Sequence, residues 1–122
     1  MADNDFRPVL YLKATCPHCL KLRIFLLEAD LLDQFEQRIF AAGDENEAAI
    51  RAELAPHFEK VTFPTVQYAP GKYMNDSDAI IAHYAEAETI DRADLPIFGT
   101  YAGSVLPNYM AARKELRELK GA

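Results

Sequence analysis

Tyr11-Leu12-Lys13-Ala14-Thr15-Cys16-Pro17-His18-Cys19 carries both cysteines of the 122-residue chain. The apolar run Val9 to Leu12 precedes the cysteines and an amphipathic helical pattern follows them, so a strand ends and a helix begins here. Pro17 suits a first helical turn, because its missing N–H has no partner there and its φ is already helical. Cys16 then falls at the N-cap, where free amides and the helix dipole favour an anion. Its thiol is expected to ionise below the ordinary value of about 8.5. Cys19 lies one helical turn on and shares a face with Cys16, close enough to close a short disulfide. Cys16 reads as the attacking thiol, Cys19 as the resolving one, and His18 as a modest extra source of positive charge.

The length fits one domain that buries its core without cross-links, which leaves the cysteines available for chemistry. Half of the residues are apolar, but no run reaches the roughly 18 to 20 needed to span a bilayer. The opening stretch, Met1 to Asp5, is acidic and does not read as a secretory signal, so a reducing cytoplasm is the expected setting. In that setting a CxxC pair is redox-active or metal-binding rather than a permanent staple. The net charge of −6 and the scattered basic residues argue against nucleic acid as a partner. Zinc needs about four ligands, and beyond the cysteines the chain offers only His18, His57 and His83, without paired spacing. An iron–sulfur cluster would need ligands from a second chain or from a small thiol.

Along the chain, residues 6 to 12 predict a first strand and Pro17 to about Leu32 a core helix, with Leu20, Ile24, Leu27 and Leu31 as its buried stripe, widened by Phe25 and Leu32. Lys13 ends the first strand three residues before Cys16, close enough to bind an anionic thiol substrate or bias the thiol, and Lys21 and Arg23 are placed on another face, where they add positive charge near the redox turn. Residues 35 to 40 predict a second strand, parallel to the first through a right-handed crossover. A second helix is expected from Asp44 to about Phe58. Residues 65 to 74 predict a hairpin turning at Pro70-Gly71, and Asn75 to Asp78 cap a third helix containing Ile80, Ile81 and Tyr84. This β-α-β-α-β-β-α order predicts an α/β, thioredoxin-like fold, a mixed four-stranded sheet with helices on both faces, over residues 1–88. Residues 89–122 read as a helical C-terminal extension, irregular from Ile97 to Val105 and helical from about Pro107 to Lys120. Leu106, Tyr109 and Met110 are candidates for packing on the sheet or for a dimer surface, so a monomer or weak homodimer is expected.

Lys13-Ala14-Thr15-Cys16-Pro17-His18-Cys19 resembles the lysine and CPxC segment of glutaredoxins. Thr62-Phe63-Pro64 resembles the cis-proline loop of the thioredoxin superfamily, and Asn75 to Ile80 resembles the glutathione-gripping segment of glutaredoxins and of the N-terminal domain of glutathione transferases. The resemblance spans residues 9 to about 88. Its departures are Pro-His in place of the usual Pro-Tyr and an acidic second helix. It implies glutathione as reductant or ligand and disulfide or glutathionylated proteins as substrates. It further implies a mixed disulfide on Cys16, Lys13 at a glutathione carboxylate, and the Phe63 backbone beside a cis Pro64 at the cysteinyl part. Ser77 and the amides opening the helix at Asp76 would hold the γ-glutamyl carboxylate. Asp76 or Asp78 would meet its ammonium, and Arg38 is a weaker candidate for the other carboxylate. A glutathione-binding or iron–sulfur module and a glutathione transferase-like protein are the alternatives.

Overall fold

Four strands, Val9–Lys13 (β1), Glu36–Phe40 (β2), Thr65–Ala69 (β3) and Lys72–Asn75 (β4), form one sheet ordered β2-β1-β3-β4 in the computed structural model, which describes residues 6–121. β1 and β2 are parallel, with Val9 opposite Glu36 and Lys13 opposite Phe40. The antiparallel pairs β1–β3 and β3–β4 complete the sheet, the second closed by a turn in which Gly71 takes φ +71°. The helices are Pro17–Glu28 (α1), Glu45–Leu54 (α2), Ser77–Ala87 (α3), Pro96–Thr100 (α4) and Leu106–Gly121 (α5). A π-helical turn, Tyr101–Val105, joins α4 to α5. This is the mixed thioredoxin-like architecture with a C-terminal helical extension. The acidic stretch at residues 1 to 5 lies outside the described residues. Among those described, no helix is long and apolar enough to cross a membrane.

Alternation along β1 divides the interior. Leu10 and Leu12 enter a core with Leu22, Phe25 and Leu26 of α1, Val66 of β3 and Ile80 and Ile81 of α3. Tyr11 faces the opposite side, in a smaller cluster with Phe40, Ile50 and Leu54 beneath α2. The buried stripe of α1 differs from the expected one. Cys19, Leu22, Phe25 and Leu26 point inward, while Leu20 and Leu27 are 42% and 67% exposed. Apolar residues occupy nearly every side of this helix, so periodicity alone does not choose a face. The phase is set instead by the entry from β1, which turns Cys19 under the sheet's end.

α1 also stops earlier than the expected Leu32. Leu31 N–H donates to Leu26 O (2.7 Å) and Asp30 N–H to Leu27 O (3.1 Å), with Asp30 at φ +64°, a Schellman closure without glycine. The second helix likewise ends at Leu54, and a 3₁₀ turn over Ala55–His57 follows.

Two contacts tie the first helix of the extension, α4, to α1. Phe98 packs edge-to-face on Phe25, with ring centroids 5.4 Å apart. The Glu28 carboxylate accepts from the Ile97 and Phe98 amides (2.9 and 2.7 Å), capping α4 from the neighbouring helix. Glu28→Ala removes two charge-assisted hydrogen bonds and is expected to cost about 1–3 kcal/mol. Urea unfolding would measure this loss, and an unchanged midpoint would show that the clamp is idle. Beyond Leu106, which is buried, α5 is mainly exposed. Met110 is half-buried, and Tyr109, Leu116 and Leu119 are open.

Candidate active site

Cys16 is the N-cap of α1, with φ −83° and ψ 121° and Pro17 in the first turn. Its N–H donates to Lys13 O (3.1 Å), its carbonyl accepts from Leu20 N (3.0 Å), and its Sγ accepts from Cys19 N (3.4 Å). Both cysteines are free thiols. A hydrogen bond from the Cys19 thiol is the chief influence lowering the Cys16 pKa to about 5, against the opposing effect of burial. The Cys19 and His18 amides and the charge of His18 contribute less. Cys19 is 1% exposed. Its own pKa is raised, first by the hydrogen bond to Cys16 and then by burial, so it keeps its proton and donates it. The helix opening is therefore a secondary source of acidity, and the second cysteine is the principal one.

Across from this sulfur the Phe63–Pro64 peptide is cis, and the Phe63 carbonyl oxygen lies 4.0 Å from Cys16 Sγ. Thr65 Oγ1 donates to Thr62 O (2.7 Å), which holds the loop. Phe63, Pro64, Asp76 and Ser77 share one cleft with His18, Lys21, Thr62 and Asp78. Asp76 sits at φ +75° as the N-cap of α3, and its carboxylate accepts from Asp78 N (3.1 Å). Ser77 is buried at the helix start. Asp78 is engaged by the buried Lys21 (2.7 Å), which holds its carboxyl below the usual range. Among the described residues this leaves Asp76 as the acid of the two outside an ion pair.

Two expected positions differ. Lys13 borders not this cleft but a hollow of about 510 Å³ on another flank of Cys16, with Thr15, Pro17, His18, Tyr109, Met110 and Arg113. Arg38 stands in the middle of β2, is paired to Glu53 (2.6 Å), and lines neither of these two spaces. Lys21, expected only as positive charge near the redox turn, lines the cleft, and Tyr109, Met110 and Arg113 of α5, not expected at the site, line the hollow. Lys21 follows His18 by three positions on one helix, a spacing that places it at the same cleft. Tyr101, whose hydroxyl donates to Pro17 O (2.9 Å), had no sequence signal, because its placement depends on the path of the extension. Burial and then the charge at Cys16 raise its pKa. No group of three or more His, Cys, Asp and Glu side chains among the described residues gathers as a metal site.

Residues 10–89 match the family model described as the glutathione S-transferase N-terminal domain. The chain belongs to this family. Among solved structures, this glutathione S-transferase N-terminal domain is similar to a glutathione S-transferase from the Antarctic clam Laternula elliptica. That match has 24% identity and a TM-score of 0.51, covering 67% of this chain and 35% of the other. It is also similar to glutathione transferase Omega 2C from Trametes versicolor, with 20% identity and a TM-score of 0.51 over 76% and 40%. These likenesses are of fold, and the chain spans well under half the length of either protein. No curated protein sequence matches it significantly.

Proposed function

We propose that this chain carries a glutathione-dependent thiol–disulfide oxidoreductase site, working in a reducing compartment, with Cys16 as nucleophile and Cys19 as resolving thiol. The observation that carries this reading is that Cys16 caps α1 with its Sγ accepting from the Cys19 amide (3.4 Å), opposite the cis Phe63–Pro64 peptide, and its lowered pKa agrees with that placement. The Cys16 thiolate attacks the glutathione sulfur of a glutathionylated substrate. A new S–S bond forms, the old one breaks, and the departing thiolate takes a proton from water. Once Cys16 is bonded, the charge that held the Cys19 proton is gone. Cys19 can then ionise, attack Cys16 and release glutathione. A second glutathione thiolate performs the same release from outside, yielding glutathione disulfide and restoring the Cys16 thiolate.

The fit of the cleft to glutathione supports the same reading. The amides opening α3, with Ser77, suit the γ-glutamyl carboxylate, and Asp76 suits the ammonium beside it. The Phe63 backbone, next to Pro64, faces the sulfur end. Reduction of a small glutathione mixed disulfide tests this. Cys16→Ser should lower turnover by about three orders of magnitude or more, while Cys19→Ser should retain it through the external glutathione route. Full turnover by Cys16→Ser, or none by the reduced wild-type protein, would overturn the proposal. A transferase reading draws on the likeness to two solved structures, both of glutathione transferases. It would be favoured by thioether formation from glutathione that persists in Cys16→Ser.

A further inference from the structure

We propose that the hollow between Cys16 and α5 receives the half of the substrate that is not glutathione and selects one bearing an anionic group, held by Arg113 and Lys13. This rests on Cys16 being the nucleophile, and it deepens that reading by naming a substrate class. The hollow opens on the reactive sulfur, and its volume of about 510 Å³ suits a small organic ligand. It is separate from the Pro64 cleft, with which it shares only His18.

The charge of the two spaces is opposite in character. The Pro64 cleft contains Asp76, Asp78 and a Lys21 already paired to Asp78. The hollow contains Lys13, His18 and Arg113 and no carboxylate, although the chain as a whole is acidic at −6. Lys21, Arg38 and Arg51 each have a carboxylate partner, whereas Lys13 and Arg113 enter no ion pair among the described residues. Glu47, whose carboxyl feels the charge of Lys13, is already taken by Arg51 at 2.8 Å. Arg113 lies over the Tyr109 ring, 5.8 Å from its centroid, which steadies a planar cation at the rim. The Tyr101 hydrogen bond to Pro17 O ties the extension to the reactive turn. An anion on the leaving half of a disulfide would meet these cations while its sulfur stays in line with Cys16.

The first test needs no glutathione. Cys16 is alkylated by iodoacetate and by iodoacetamide at pH 7, a thioether forming as iodide leaves, and the ratio of the two rates is read. The ratio should fall about three- to tenfold in Arg113→Gln and also fall in Lys13→Gln, and the difference should shrink in 1 M salt. A ratio equal to that of the wild type in both variants would overturn the proposal. In the second test, glutathione mixed disulfides of 3-mercaptopropionate, 2-mercaptoethanol and cysteamine are compared. Arg113→Gln should lower kcat/KM for the first relative to the other two. An equal loss on all three, with a raised KM for glutathione, would assign Arg113 to glutathione and overturn the proposal. If the wild type turns over none of them while the alkylation ratio responds as expected, the oxidoreductase reading fails and the anion site stands.

Discussion

Alkylation of Cys16 by a neutral reagent is expected to rise with pH through a midpoint near 5 and to be flat by pH 7. An ordinary thiol, with a pKa of about 8.5, would still be climbing there. The shape of the profile decides the matter, not the absolute rate. An attacking thiolate loses nucleophilicity as its pKa falls, with a Brønsted slope of about 0.4–0.5, so a drop of some 3.5 units makes each thiolate about 25- to 55-fold slower. That nearly cancels the roughly thirtyfold gain in thiolate at pH 7. The benefit of the low pKa lies in departure, because Cys16 is an easily expelled thiolate when Cys19 or glutathione breaks its bond. Since the Cys19 thiol is the main cause, Cys19→Ala should move the midpoint upward by about one unit or more. A midpoint that stays near 5 in that variant would assign the acidity to the helix opening instead.

The acidity also bears on folding of the reduced protein. Between a folded value near 5 and an unfolded value of about 8.5 the unfolded chain binds more protons at Cys16, so this group's contribution to stability grows with pH through that window. It is fully present above the unfolded value and is lost as pH falls through 5. Cys19, with its raised pKa, has the opposite sign. Its contribution is complete below the unfolded value and declines in alkali.

Phe25→Ala is expected to be the most damaging single core change, costing about 3–5 kcal/mol. Phe25 is fully buried and meets both the sheet core and Phe98 of the extension. That loss is a large share of the 5–15 kcal/mol typical of a domain. Equilibrium urea unfolding measures it, and a loss below about 1 kcal/mol would mean that the ring does not join the core to the extension. Pairing it with Phe98→Ala in a double-mutant cycle should show a coupling of about 0.5–1.5 kcal/mol. Strict additivity would mean that the extension merely rests on α1.

The strand order and the reactive turn were readable because each rested on a strong local signal. Pro17 fixes where α1 begins, Pro70-Gly71 fixes the hairpin, and a helix between two strands requires the parallel pairing of β1 with β2. The buried side of α1 was not readable, since a helix apolar on most sides takes its phase from tertiary entry. The pairing of Arg38 was not readable, because its partner Glu53 is fifteen positions away on another element. Lys13 was found as a cation near the sulfur, but the flank it serves depends on α5. The segment from Pro96 to Val105 had no clear period, and its helical and π turns follow from the Glu28 cap and the Phe98 contact rather than from propensity.

The sheet is clothed unequally. Under α1, α3 and α4 lies a deep apolar layer, whereas the layer under α2 is smaller, its buried residues being Tyr11 and Phe40 of the sheet with Ile50 and Leu54 of the helix. Of the two faces of the sheet, the one under α2 has the thinner apolar layer and is expected to open before the one under α1. Cys19, the donor that acidifies the reactive sulfur, belongs to the deep side. The cysteine pair is therefore seated against the thicker of the two apolar layers.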